Sequence, residues 1–358
     1  MTNQNTFAPP DAEEHKLLRK HYFRLAWIMI VLVLVFSELN TLIMTISSGI
    51  MGGGFTEECI KAGKQILRST PVMSAIYHYG FPIAADIAAL GIGLLITKAD
   101  IKSRLKTTGL NGKGFLGATA MTFSVATIAA FVNVFLIFAL MAAMGKLSDF
   151  SIEKTSSVSI APKGNPLWID VLIYIYICLL GPILEELIFR GVLLEGLRKY
   201  GNLFGIIMSA VLFGLMHQNI AQCLPAIAIG LVWGYIAVKS GSLIPSIFLH
   251  ILNNTMSAIL LAVMQSVNLS DLSNIKALLN ASVSLIIISA LISLFRLVCI
   301  IGSIVMIVRY TSSAHGKLVD SNGYTSTRTW KYLFTSLPWL AVIGYLLVTT
   351  VTSISHIA

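Results

Sequence analysis

Long apolar runs, each bounded by charge or by Gly, Pro or Asn clusters, recur along the whole chain. A helix rising 1.5 Å per residue needs about 20 apolar residues to cross a bilayer core, so each run predicts a membrane-spanning helix. Nine runs stand out, at 24–46, 80–97, 115–144, 167–189, 203–219, 223–239, 242–264, 282–308 and 333–354. The eighth carries Arg296 in mid-run, which predicts a kink or a partly re-entrant course there.

Composition narrows the class. Of 358 residues 56% are hydrophobic and 11% charged, against about a quarter charged in a soluble domain. A water-soluble globule is excluded, and the fold expected is all-α and polytopic. The net charge of +9 does not mark a nucleic-acid binder, because the cations lie between apolar runs and form no basic face. They alternate as the positive-inside rule requires. One side collects Lys16, Arg19, Lys20 and Arg24, then Lys98, Lys102, Arg104, Lys106 and Lys113, then Arg198 and Lys199, then Lys239, then Arg309, Lys317, Arg328 and Lys331. The connections around 55–68 and 146–170 are poorer in uncompensated cations. The expected topology is an integral multi-pass protein of the cell membrane, with its N-terminus cytoplasmic and its C-terminus outside.

The first 22 residues are polar, and the apolar run after them is too long for a signal-peptide core, so it is expected to stay as a membrane helix. Cys59, Cys178, Cys223 and Cys299 are widely spaced with no C-x-x-C pair, which predicts neither a disulfide framework nor a zinc ribbon. Polar groups inside the spans are sparse except between about 170 and 260. That divides the chain into an N-terminal segment with three spans (1–160), a four-helix core (161–268) and two C-terminal spans (269–358).

Within the core, an ionisable residue in a membrane helix needs a partner or a purpose. Gly-Pro-Ile-Leu-Glu-Glu-Leu-Ile-Phe-Arg (181–190) holds Glu185, Glu186 and Arg190; Phe-Gly-Leu-Met-His (213–217) ends in His217; His-Ile-Leu-Asn-Asn (250–254) holds His250 and Asn254. Glu186 and Arg190 are four apart, in the favourable order for an intrahelical ion pair. Glu185 is turned about 100° from Glu186 and has no such cation, which leaves it the free carboxylate.

Depth brings these groups together. Glu185 and His217 are each 16 residues from Gly201, at the turn between the fourth and fifth spans. In an antiparallel hairpin they reach a common level, roughly 20 Å from the turn. His250 and Asn254 lie 9 and 13 residues past Gly241, roughly 14 and 20 Å along the seventh span. Three helices thus bring a carboxylate, two imidazoles and an amide to within about one helical turn of one level.

A carboxylate and an imidazole can hold a water and take its proton, while a second His with an Asn four residues on can donate to an oxyanion. That equips the core for amide hydrolysis without a covalent intermediate. The same residues also suit a metal site, with Glu185, His217 and His250 on Zn²⁺ and water in the fourth position. A Ser or Cys nucleophile is disfavoured, since Ser209 and Cys178 have no His at a matching spacing. A transporter would use Glu38, Asp86, Glu185 and Glu186 as a proton relay, although Glu38 and Asp86 read better as helix-end or inter-helix contacts.

On these motifs the chain resembles the CPBP family, which groups type II CAAX prenyl endopeptidases with bacteriocin-processing and self-immunity (Abi) proteins. The family's Glu-Glu-x-x-x-Arg matches Glu185, Glu186 and Arg190; its Phe-x-x-x-His matches Phe213 and His217; its His-x-x-x-Asn matches His250 and Asn254. Gly230, Gly234 and the Lys-Ser-Gly-Ser-Leu turn at 239–243 also fit. The resemblance covers about 165–265. It implies an intramembrane endopeptidase in which Glu185 and His217 activate water, His250 and Asn254 stabilise the oxyanion, and Glu186, Arg190 and Phe213 shape the site. The partner implied is a membrane-associated peptide or protein, such as a prenylated Cys-a-a-X protein or a leader peptide, within the lipid bilayer. The family is compatible with both metal-dependent and glutamate-type chemistry, and some members work as non-catalytic scaffolds or immunity proteins.

Overall fold

A computed structural model of the chain describes residues 40–69, 71–106, 111–147, 166–198, 201–266, 283–312 and 336–353, with isolated positions 16, 20, 23 and 27. In chain order the helices are α1 (Asn40–Met51), α2 (Glu57–Ser69), α3 (Pro71–Ala75), α4 (Phe81–Thr97), α5 (Ile101–Arg104), α6 (Gly112–Ala143), α7 (Leu167–Ile175), α8 (Gly181–Glu186), α9 (Leu194–Leu197), α10 (Asn202–Met216), α11 (Ile220–Ser240), α12 (Ile244–Ser266), α13 (Val283–Ser312) and α14 (Leu337–Thr352). Among the described residues there is no strand, so the protein is all-α.

Among the described residues, five helical stretches are long and apolar enough to cross a membrane: Gly112–Ala143, Leu167–Leu197, Ile220–Ser240, Ile244–Ala262 and Ile287–Met306. Thr41–Met51, Pro82–Thr97, Asn202–Met216 and Leu337–Thr352 are shorter apolar helices. Large side chains such as Leu95, Leu116, Phe131 and Phe135 point outward and are mostly exposed, as expected of helices that meet lipid on their outer faces. The chain is a polytopic membrane protein.

The second to ninth expected spans each coincide with a helix, while most of the first, with Glu38, lies outside the described residues. The Arg296 run forms the continuous helix α13 and has no re-entrant break. Two elements depart from the expected pattern. The connection at 55–68 contains α2, an amphipathic helix with Glu57 and Glu58 in its first turn. It crosses α1 very closely: a Cβ on Gly63 would lie 1.7 Å from the Ser48 carbonyl oxygen. The fourth span continues beyond 189 to Leu197 because two π-turns, Tyr176–Leu180 and Leu187–Leu193, carry it on either side of α8.

Proline explains the first π-turn. Pro182 has no N–H and its ring would clash with a carbonyl one turn back, so the helix widens ahead of it. The same spacing occurs in α4, where the π-turn Ile76–Gly80 precedes Phe81 and Pro82. In the widened register Gly181 N–H bonds to the Tyr176 carbonyl. The next bond would run from residue 182 to Ile177, and Pro182 cannot make it. The orphaned Ile177 carbonyl accepts instead from Asn254 Nδ2 at 3.1 Å. Pro225 inside α11 repeats the solution: Asn133 Nδ2, from α6, donates to Ile220 and Ala221 carbonyls at 3.1 and 3.0 Å. Backbone groups inside a membrane must find such partners, because no water is there to replace them.

Around the fourth span, α10 packs along α11, α11 along α6 and α6 along α13. Phe189, Leu193, Leu212, Phe213, Trp233, Leu249 and Trp339 form one buried cluster. At the Arg/Lys-rich end, Arg104 joins three elements: it pairs with Glu195 at 2.9 Å, donates to the Ala237 carbonyl at 3.0 Å, and its own carbonyl accepts from Leu243 N–H. Gly241, with φ +68°, closes α11 in the left-handed conformation that starts the return into α12.

Candidate active site

The two adjacent glutamates end α8, between the two π-turns. Such turns concentrate at functional sites because they re-aim side chains within a continuous helix. Glu186 and Arg190 are wholly buried and joined at 2.8 Å. The Arg190 guanidinium also lies over the rings of Phe213, at 4.4 Å, and Trp233, at 5.5 Å. A cation buried among apolar helices is thus answered by one carboxylate and two aromatic faces.

His250 lies between the glutamates. Its Nδ1 is 3.2 Å from Glu186 Oε1 and its Nε2 3.7 Å from Glu185 Oε2. Because Glu186 is held as an anion by Arg190, it accepts, and His250 Nδ1 carries the hydrogen. The Nε2 edge therefore faces Glu185. Trp233 backs the imidazole, its ring centroid 4.3 Å away. Glu185 keeps 23% of its side-chain surface exposed, so of the two carboxylates it is the one that water or substrate can reach.

His217, the C-cap of α10, places Nδ1 2.8 Å from its own chain's Phe213 carbonyl. A carbonyl can only accept, so Nδ1 holds the hydrogen and Nε2 presents a lone pair. Phe213 meets both imidazoles edge-on, with centroids 5.0 Å from His217 and 5.8 Å from His250. Phe213 thus links the two imidazoles. Glu185 contacts His250 directly, whereas His217 joins through Phe213.

Asn254, one turn beyond His250, spends one amide hydrogen on Ile177 and accepts at Oδ1 from Asn253 at 3.4 Å. Beside it an apolar groove of about 610 Å³ runs between α7 and α12, lined by Tyr174, Cys178, Thr255 and Ile259 among others. All four cysteines are free thiols.

One contributor went unnoticed in the sequence, and another was noticed for a different reason. Trp233 carries no charge and no motif spacing, so nothing distinguished it from a lipid-facing aromatic. Gly230 looked like a family marker and proves to be steric: a Cβ there would sit 3.2 Å from Arg190 Nη2 and from Ala210.

For a metal, the donor set must converge on one point. Among the described residues no three His, Cys, Asp or Glu side chains do so. The arrangement does not fit the three-ligand zinc site considered above.

The comparisons with known proteins fall on this block. Residues 166–256 match the family model "Type II CAAX prenyl endopeptidase Rce1-like". The Bacillus subtilis (strain 168) protein named "Putative membrane peptidase YdiL" is 33% identical over 84 residues, 23% of this chain and 34% of that protein. The chain thus matches about a third of the length of that curated relative. No solved structure matches the chain. Through residues 166–256, which carry the Glu-Glu-x-x-x-Arg, Phe-x-x-x-His and His-x-x-x-Asn groups, the chain is similar to the Rce1-like type II CAAX prenyl endopeptidases.

Proposed function

We propose that the protein is an intramembrane endopeptidase that cleaves a membrane-associated peptide or protein with water activated by Glu185 and His217. The observation that carries this reading is the division of labour between the two glutamates. Glu186 is committed to Arg190 and His250, while Glu185 is partly exposed and free of a cation.

In the proposed reaction a water donates a hydrogen bond to His217 Nε2 and gives its other proton to Glu185 as its oxygen adds to the scissile carbonyl. The carbonyl π-electrons move to oxygen, and the oxyanion accepts from the second amide hydrogen of Asn254 and from His250 Nε2–H, which requires His250 as the imidazolium with its Nδ1–H held by Glu186. The Glu185 proton then passes to the departing amine as the C–N bond breaks. Glu186, Arg190, Phe213 and Trp233 hold His250 in place. The apolar groove beside Asn254 suits a hydrocarbon or a hydrophobic segment, which favours substrates such as prenylated Cys-a-a-X proteins or membrane-anchored leader peptides. The reading includes a cell-membrane location with a cytoplasmic N-terminus, supported by the Lys/Arg alternation.

The test compares wild type with Glu185→Gln, purified in lipid, on a library of farnesylated Cys-a-a-X peptides and membrane-anchored leader peptides. Cleavage by wild type alone is expected, with a loss of about 10²–10⁴-fold in the variant. Specific peptide capture by both without cleavage by either would replace the enzyme with a scaffold or self-immunity protein.

A further inference from the structure

Helix α6 lies outside the matched block 166–256, yet one of its hydroxyls reaches the site. Thr122 is wholly buried, and its Oγ1 accepts the indole N–H of Trp233 at 3.3 Å. Trp233, on α11, is equally buried. A buried indole N–H has to find an acceptor, and turning the ring over about its last side-chain torsion would carry the N–H away from Thr122. The bond therefore selects one orientation of the indole.

That orientation lays a face of the indole against His250, with ring centroids 4.3 Å apart and planes 31° from parallel. The hydrogen bond from His250 Nδ1 to Glu186 Oε1, at 3.2 Å, fixes one corner of the imidazole and leaves the ring able to swing about it. The indole blocks that swing and keeps Nε2 toward Glu185, 3.7 Å away. The same indole meets Phe213, at 6.1 Å between centroids, and the Arg190 guanidinium at 5.5 Å. Its own position is secured from α6 at a second point. Asn133, three helical turns beyond Thr122, donates to the Ile220 and Ala221 carbonyls at the start of α11. Polar groups of α6 thus tie down α11 at its first turn and again at Trp233.

We propose that Thr122 is a positioning residue: its hydroxyl fixes the Trp233 indole, and the indole fixes the imidazole plane of His250, so that a side chain of α6 sets the aim of Nε2. Thr122 touches no reacting atom and acts through Trp233 alone. The catalytic consequence rests on the hydrolytic reading above; the Thr122–Trp233–His250 brace does not.

Nuclear magnetic resonance of the full chain in lipid, with isotope-labelled Trp indoles and His rings, reads the brace without needing turnover. Among the five tryptophans, Trp233 is the signal lost in Trp233→Phe, and His250 is the ring signal lost in His250→Gln. Thr122→Val keeps the shape of the side chain and removes the acceptor. It is expected to move the Trp233 N–H signal upfield, as a hydrogen bond is lost, and to shift the His250 ring signal with it; Thr122→Ser is expected to keep both near their wild-type positions. An unmoved indole signal, or a moved indole that leaves His250 unchanged, overturns the proposal whether or not the protein is a protease. Wild type should also show magnetisation transfer between the Trp233 and His250 rings, a measurement that needs no stable Thr122 variant, and its absence overturns the proposal too. On a cleaved substrate Thr122→Val is expected to lower kcat by up to about 100-fold, the scale of a misplaced catalytic group, with KM unchanged. Thr122→Ser should recover most of that loss. In a Trp233→Phe background, where no N–H is left to hold, Thr122→Val should cost nothing further. A loss that serine does not recover, a rise in KM alone, or additive losses in the double variant overturn the proposal as well, and none of these outcomes touches the Glu185→Gln test.

Discussion

Arg190 donates to Glu186 at 2.8 Å with both side chains fully buried. Removing one member of such a pair strands the other as an uncompensated charge. Arg190→Ala is therefore expected to cost about 3–5 kcal/mol, read as a fall in thermal stability in detergent or lipid. Replacing both, as Glu186→Leu with Arg190→Met, should recover most of that stability while leaving His250 without its Nδ1 partner. Recovered folding with lost cleavage would separate the pair's electrostatic cost from its service to His250. Full activity in the double variant would show that His250 needs no such anchor.

Asn133 and Pro225 form a second dependent pair. The proline leaves the Ala221 carbonyl without its helical donor, and Asn133 supplies one from α6. Asn133→Leu should destabilise by about 1–3 kcal/mol, the cost of an unsatisfied buried acceptor. In a Pro225→Ala background the helix can make its own bond, so the same substitution should cost markedly less. Equal losses in the two backgrounds would mean that Asn133 contributes packing alone.

Much of this architecture is legible in the sequence, since a run of about 20 apolar residues leaves few alternatives to a membrane helix. Eight of the nine expected spans meet helices, and the motif residues Glu185, His217 and His250 fall on the expected fourth, fifth and seventh spans. What escaped is local winding. Pro182 announces a disturbance, but not whether the helix kinks, breaks or widens; that depends on Asn254 being present to take the Ile177 carbonyl. The contact of Glu185 with His250 was hidden for the same reason, because π-turns change the angle between successive side chains that a regular 100° step assumes. The amphipathic helix α2 was passed over because its charges, Glu57, Glu58, Lys61, Lys64 and Arg68, read as a connection.

Small residues at crossings set a third expectation. A Cβ on Gly214 would fall 2.4 Å from Ile227 Cγ1 and 2.6 Å from the Cys223 carbonyl oxygen, so α10 and α11 would have to separate. Gly214→Ala is expected to destabilise by about 1–3 kcal/mol. At Gly302, where nothing lies within 4 Å, the same change should be neutral or slightly stabilising. Gly230→Ala is the informative middle case. Its Cβ presses on Arg190 Nη2 at 3.2 Å, and displacement of the guanidinium should reduce cleavage more than it reduces the melting temperature.

The histidines allow the chemistry to be divided between a metal and the side chains alone. His217 and His250 each turn Nδ1 to an acceptor, the Phe213 carbonyl and Glu186, and no three potential ligands converge among the described residues. With the tautomer of His217 fixed by the backbone, Nε2 acts as a hydrogen-bond acceptor toward water. Gln at 217 also offers an acceptor oxygen, but has no imidazole to hold it against Phe213. His217→Gln should therefore retain a small residual activity, whereas Glu185→Gln should not. A glutamate–histidine site keeps its rate after exhaustive chelation and copurifies with no stoichiometric zinc, measured by elemental analysis of the purified protein. Loss of activity on chelation, restored by Zn²⁺ and abolished in His217→Gln, would require Glu185, His217 and His250 to rearrange around an ion. The Nδ1 bonds of both histidines would then have to survive metal binding, since Nε2 is the nitrogen each imidazole has left to offer.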